Sequence, residues 1–451
     1  MIGEDRSVNL LKRIIQQSTA DQTEALLFTE DSSLTRFANS SIHQHMSERN
    51  HTLILRVVID KKIAILTTNI IDRLSVKDLL NKALSIARAQ KPNEEFISLP
   101  RPEPIPKIST YSDNIQRLNP NRKISMINNL FKIVSEKGLR ASGSFSNGVI
   151  EVSIVNSLGI ESYQKYSDIF FHLILENDYL SGYSSFVSRD PDLLNIESIA
   201  NEAMKKVWNK EAIEIEPGEF EVVLEPYAVS ELISFLGYLG FHALAVQEGR
   251  SFFCNNFGNK MVNDRVTIYD DGLDPEGLQV PFDFEGVPKK RVSFFEKGIA
   301  KEVTYDSFTA GREGKSSTGH ALIPPNTTGP IPINLFMEGG DSSLEEMITS
   351  VRRGIYVTRF HYTNVVEPMK AVITGMTRDG TFLIEKGEIQ RPLKNLRFTE
   401  SILRALNRVT LISKDRRICS EGTVYTRRFI TGTVVPAIKV DGFNFSGVSK
   451  L

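Results

Sequence analysis

His43-Gln44-His45 sets two imidazoles on one face of a strand, with Glu48 and His51 close by. Two histidines and a carboxylate are a possible zinc ligand set. No helix or fixed turn orients a third ligand, so the segment reads as a solvated strand or turn. Gly311-Arg312-Glu313-Gly314-Lys315-Ser316 has the residue types of a phosphate loop. That loop needs four residues between its glycines, so that successive N–H groups curl round the phosphates. Only two stand there, and no strand leads in, so nucleotide binding is not expected. Cys419 follows Lys414-Asp415-Arg416-Arg417, cations that lower a thiol pKa. A catalytic cysteine also needs a base, and no neighbour in sequence supplies one. Cys419 therefore reads as a small semi-buried thiol. His242 sits among apolar and small residues, without a second ligand four positions away, and reads as a core or pocket-edge histidine. Arg359 and His361 share one face of a strand, which could meet a peptide carboxylate or water.

These residues belong to a chain of 451, a length that predicts two or three domains. With 54 basic and 55 acidic residues the net charge is −1, which gives no global reason to bind nucleic acid. The sequence contains no apolar run of membrane-spanning length. No apolar stretch of the kind found in a secretory leader follows the N-terminus. Two distant cysteines exclude a disulfide framework, and a cytoplasmic setting is expected.

The elements that must position the candidates fall into two textures. Val8, Leu11, Ile14 and Ile15 recur at helical spacing. Strands are expected at 25–29, 34–38, 52–59 and 63–68. An amphipathic helix on Val76, Leu79, Leu80, Ala83, Leu84 and Ala87 follows, with Asp78 and Lys82 one turn apart on its wet face. A proline-rich connector at 99–107 stays extended. Then the order repeats: a helix through Ile124, Ile127, Phe131 and Val134, strands at 148–155, 160–166 and 169–176, and a helix through Ile196, Ala200, Ala203 and Val207. From Gly218 onward, short apolar runs alternate with Gly, Asp, Asn and Pro, and Asp379-Gly380 and Lys386-Gly387 sit where tight turns belong. Helices are expected there at 343–351 and 399–407. The reading is an α+β chain. A duplicated helix–strands–helix region (1–98 and 108–212, joined by the connector) precedes a β-rich C-terminal domain at 213–451.

Several blocks, in order, resemble the TldD/PmbA family: Thr35 to Ile42, Val155-Asn156-Ser157-Leu158-Gly159, Pro281 to Val287, Lys315-Ser316-Ser317-Thr318-Gly319-His320-Ala321, Gly354 to Thr358, and Pro436 to Gly447. The resemblance covers nearly the whole chain. In its TldD arm, a histidine–glutamate–three residues–histidine helix and a later cysteine imply a zinc site with the glutamate as base. The corresponding window here is Ser234-Phe235-Leu236-Gly237-Tyr238-Leu239, which lacks both histidines and the base. Cys419 stands near the family's cysteine and is the one weak metal alternative. The departure matches the PmbA (TldE) arm, which implies a non-catalytic subunit without a cofactor of its own. Zinc would then be carried by a TldD-type partner in a heterodimer that cleaves extended or unfolded peptides, with self-association as the alternative. A free sheet edge would give such a peptide a strand to pair with. Thr318, Gly319 and His320 carry over as interior residues. With His242, Arg359 and His361 they form the candidate peptide-binding set. Two other readings remain: a self-sufficient hydrolase using His242, His320 or His361 with Cys419, and a gyrase-associated regulator.

Overall fold

The computed structural model describes residues 1–420 and 427–448. The first half runs α1 (Glu4–Gln17), β1 (Gln22–Ala38), β2 (Ser41–Ile59), β3 (Lys62–Thr68) and α2 (Arg73–Ala89). After the connector come α3 (Pro120–Ser135), β4 (Arg140–Asn156), β5 (Glu161–Glu176), β6 (Ser181–Ser188) and α4 (Ile196–Met204). α2 starts where Asp72 accepts from the N–H groups of Leu74 and Ser75, a cap that satisfies donors the helix cannot. It buries the six residues that the helical spacing names. Asp78 and Lys82 pair at 2.7 Å on its wet side.

The two repeats join edge to edge. β1 pairs antiparallel with β4 from Glu24↔Asn156 to Phe37↔Gly143, giving one six-stranded sheet in the order β3-β2-β1-β4-β5-β6. Alternation along each strand gives the sheet two apolar faces. Ala25, Leu27, Leu53 and Leu55 pack under α1 and α2. Phe145, Phe171 and Leu173 pack under α3 and α4. Leu26, Phe28, Ile150, Val152 and Ile154 point the other way, onto Leu278, Val280 and Phe282 of the second half. Strands expected as separate pieces at 25–29 and 34–38, and at 160–166 and 169–176, are continuous: β1 and β5 span each gap. The histidine-rich segment 43–51 belongs to β2.

The second half runs β7 (Gly218–Leu224), α5 (Pro226–Leu239), α6 (Ala243–Gln247), β8 (Ile268–Asp270), β9 (Val292–Glu296), β10 (Ile299–Ala300) and α7 (Ser307–Arg312). It continues with β11 (Asn334–Met337), α8 (Leu344–Thr349), β12 (Arg353–Glu367), β13 (Val372–Glu385), β14 (Glu388–Pro392), β15 (Leu396–Ser401), α9 (Ile402–Asn407), β16 (Val409–Cys419) and β17 (Gly432–Val448). β17 pairs with β15, β15 with β13, β13 with β12, β12 with β7, and β7 again with β17, so five strands close a ring. Ring closure removes their edges. The free edge expected for strand addition is therefore confined to strands paired on one side, such as β14, and to β12 beyond Val357. Asp379-Gly380 is not a hairpin turn. It lies inside β13 at φ 52 and 125, a kink that leaves the strand unbroken. Lys386-Gly387 does turn the chain, between β13 and β14. No helix among the described residues is long and apolar enough to cross a membrane.

Candidate functional site

α5 is the helix on which the metal pattern would have to stand. Pro226 at its first position fits there because that N–H has no helical partner. Leu232, Ile233, Leu236 and Leu239 anchor it in the main core. Its open face carries Ser230, Ser234 and Tyr238, four residues apart. Ser230 Oγ donates to Tyr227 O at 2.9 Å, and Ser234 Oγ lies 3.2 Å from Thr433 Oγ1. Leu239 is buried on the opposite side, so the two ends of the window Ser234–Leu239 do not converge.

Cys419 closes β16 across from Thr433. Burial pushes its thiol up to about 12, and Arg417 only partly offsets this. Burial thus outweighs the neighbouring cations, and the thiol is not activated. The residues present do not fit zinc. Two hydroxyls and one protonated thiol are a poor donor set for it. No group of three or more His, Cys, Asp or Glu side chains among the described residues is arranged to hold a metal ion. That includes His43, His45, Glu48 and His51. His45 Nδ1 meets Thr35 Oγ1 at 2.8 Å, and His51 Nδ1 meets Thr29 Oγ1 at 3.3 Å.

Beneath α5 lies a polar cluster drawn from both halves. Glu225, just before the helix, accepts from Tyr356 Oη at 2.6 Å, Thr358 Oγ1 at 3.1 Å and Lys206 Nζ at 2.9 Å. Glu202 on α4 accepts from Arg417 at 2.5 and 2.6 Å, from Ser184 Oγ at 2.9 Å and from Tyr227 Oη at 3.1 Å. Burial raises the Glu202 pKa, but the Arg417 bonds and Lys206 outweigh it and hold the group down at about 2. Arg417 also stacks over the Tyr227 ring, 4.8 Å from its centroid. Beside this cluster a groove of about 1020 Å³ runs between the halves, lined by Ser181, Lys206, Asp379 and Thr381 among others.

The residues singled out from sequence are scattered by the fold. Thr318, Gly319 and His320 form a buried strap. Thr318 Oγ1 meets His320 Nδ1 at 2.9 Å, and His320 Nε2 meets Asp270 Oδ1 at 2.9 Å. Asp270 accepts only, so Nε2 carries the proton. Burial and Lys289 lower the His320 pKa and keep the ring neutral; Lys289 and His320 hold Asp270 ionised against its own burial. Gly319 sits at φ +75, where a Cβ would run into the Pro288 carbonyl, so only glycine fits. His320 is 1% exposed and cannot touch a substrate directly. His242 caps α6 and is fully enclosed, and burial lowers it to about 4. Arg359 binds Asp379 through Nε at 2.8 Å and lies 4.4 Å over the Tyr183 ring, so it is committed. His361 stays half-buried on β12. Sequence reasoning missed Glu202, Lys206, Glu225, Tyr227 and Tyr356. Their partners lie up to 215 residues apart, and the one local hint was Arg417 beside Cys419.

Residues 217–447, just over half of the chain, match the family model of the PmbA/TldA metallopeptidase C-terminal domain. The chain belongs to this family. A metalloprotease TldD homolog of Buchnera aphidicola is 28% identical over 239 residues, 50% of this chain and 49% of that protein. The chain spans about half the length of the curated relatives it matches. Among solved structures, TldE from Thermococcus kodakarensis superposes with a TM-score of 0.88 at 20% identity, covering 97% of this chain and 99% of that one. A Thermotoga maritima protein described as a candidate modulator of a DNA gyrase does so with 0.84 at 20% identity, covering 97% and 99%. These two show the fold the chain shares. That fold is the α+β architecture expected from the sequence.

Proposed function

We propose that this chain is a metal-free, non-catalytic TldE-like subunit, and that it completes a peptidase with a zinc-bearing TldD-type partner to cleave extended or unfolded peptides. The observation that carries this reading is the face of α5. Ser234 and Leu239 stand where the metal pattern would need imidazoles, Phe235 where it would need the base, and Cys419 is held protonated by burial. A face of hydroxyls with no metal and no general base activates no water. His242 and His320 are enclosed and already paired, which argues against a self-sufficient site built from them with Cys419.

Metal analysis and a peptidase assay test the reading together. The pure chain carries no stoichiometric zinc and does not hydrolyse an unfolded peptide. Hydrolysis appears when it is mixed with a TldD-type relative bearing the histidine pair, and size-exclusion then shows a mixed species. Chelator-sensitive cleavage by this chain alone overturns the proposal.

A further inference from the structure

The N-terminal sheet meets the second half through buried charge that does not balance. Glu24 on β1 faces Arg56 on β2 across the strand pair. Arg56 Nη2 bridges the halves, 2.6 Å from Glu24 Oε1 and 2.9 Å from Glu285 Oε1. Glu285 Oε2 accepts from Ser307 N at 3.0 Å, at the start of α7, which Asp306 caps. Asp283 accepts from Glu285 N and Val287 N, both at 2.9 Å, and from Ala321 N at 2.8 Å, so it also holds the end of the Thr318–His320 strap. Lys289 is the other buried cation, and it leans on Asp270 at 3.9 Å. Facing Glu24 from β4 is Asn156, which is uncharged. Further out, Lys290 and Arg312 are taken by the surface residues Glu103 and Glu95. Four carboxylates (Glu24, Asp283, Glu285 and Asp306) thus share Arg56 and part of Lys289. Glu24 Oε2 is fully enclosed and meets no hydrogen-bond partner among the described residues.

We propose that this seam is a proton-operated latch: protons held by Glu24, Asp283 and Asp306 around Arg56 and Glu285 keep the sheet seated on the second half, and their loss loosens it. An enclosed carboxylate oxygen without a donor is costly when charged and tolerable when protonated. Burial raises Glu24 to about 7, Glu285 adds to the rise, and Arg56 only partly opposes it. Burial and Glu285 push Asp283 and Asp306 the same way. A raised folded-state pKa gives stability that is complete below the unfolded value and lost as pH climbs through the folded one. For Glu24 that window runs from the ordinary carboxyl value of 4.5 to about 7.

Hydrogen exchange on the full chain, corrected for the intrinsic pH dependence of exchange, reads the seam directly. Between pH 5.5 and 7 the opening constant for 22–30 and 281–290 rises about tenfold per pH unit for each proton released. Glu24→Gln removes one proton's worth of that slope. Glu95→Gln, at the surface, leaves it unchanged. If Glu24→Gln does not fold, Asp306→Asn, which keeps a side chain able to cap α7, carries the same test. Protection that stays flat across this range, or a slope that survives the Gln substitution, overturns the latch.

Discussion

The Thr318–His320–Asp270 strap is largely buried and the Glu202–Arg417–Tyr227 cluster is half-buried; both are polar, yet they do different work. The strap ties one loop to β8 within the second half through a neutral imidazole between a hydroxyl and an ionised carboxylate, with Lys289 3.9 Å from that carboxylate. The cluster ties α4 and β6 of the first half to β16 and the start of α5 in the second, and it carries full charges on both sides. A local strap tolerates substitution if the loop can relax. A staple between halves cannot relax without parting them. The comparison makes the cluster the staple between the halves, and gives the strap a local supporting role.

Substitutions can break that contrast. Lys206→Met leaves Glu225 buried without its cation, although Tyr356 and Thr358 still donate. The expected loss is about 3 kcal/mol in denaturant unfolding, with looser packing of the two halves visible by limited proteolysis. His320→Leu leaves Asp270 Oδ1 short of a donor and costs about 2 kcal/mol by the same measure, without exposing the seam between halves. Equal proteolytic opening in both variants would erase the distinction drawn here. Acid titration sharpens it. Because burial lowers His242 to about 4, the folded chain holds that ring neutral. Its stabilising share is complete above pH 6.5 and fades as pH falls from there to about 4; His242→Asn shortens the acid limb by one proton in pH-dependent melting. Ser234→Ala is the smallest change: Ser234 is exposed and has one 3.2 Å contact, so stability moves by no more than about 0.5 kcal/mol. Partner-dependent hydrolysis should persist in that variant, because the proposal gives Ser234 no catalytic step.

Much of the first half could be read from residue spacing. Helix α2 was legible because one apolar stripe and one capping aspartate agree on its position. Strand limits were less so. Polar residues such as Glu30 and Ser33 interrupt the apolar runs, and β1 continues through them because both neighbouring strands supply hydrogen bonds. β6 was missed: four serines and a glycine break up Tyr183, Phe186 and Val187, and within the sheet it pairs with β5 alone. In the second half, Asp379-Gly380 has the chemistry of a hairpin turn, but pairing on either side of it overrides the local preference. The strap residues were found because they are contiguous. The cluster under α5 was not, since each of its members is unremarkable until strands far apart in the chain bring it to the others.

Strand β17 touches β7, β11, β15 and β16, and among the described residues every other strand precedes it in the chain. During synthesis the second half therefore waits, with β7 and β12 through β16 already present, for a segment made after all of them. The first sheet has no such dependence and is free to form while the remainder is still being translated. A nascent chain halted before residue 432 would hold a finished front and an unsealed back, and the cell's chaperones would meet the protein in that form.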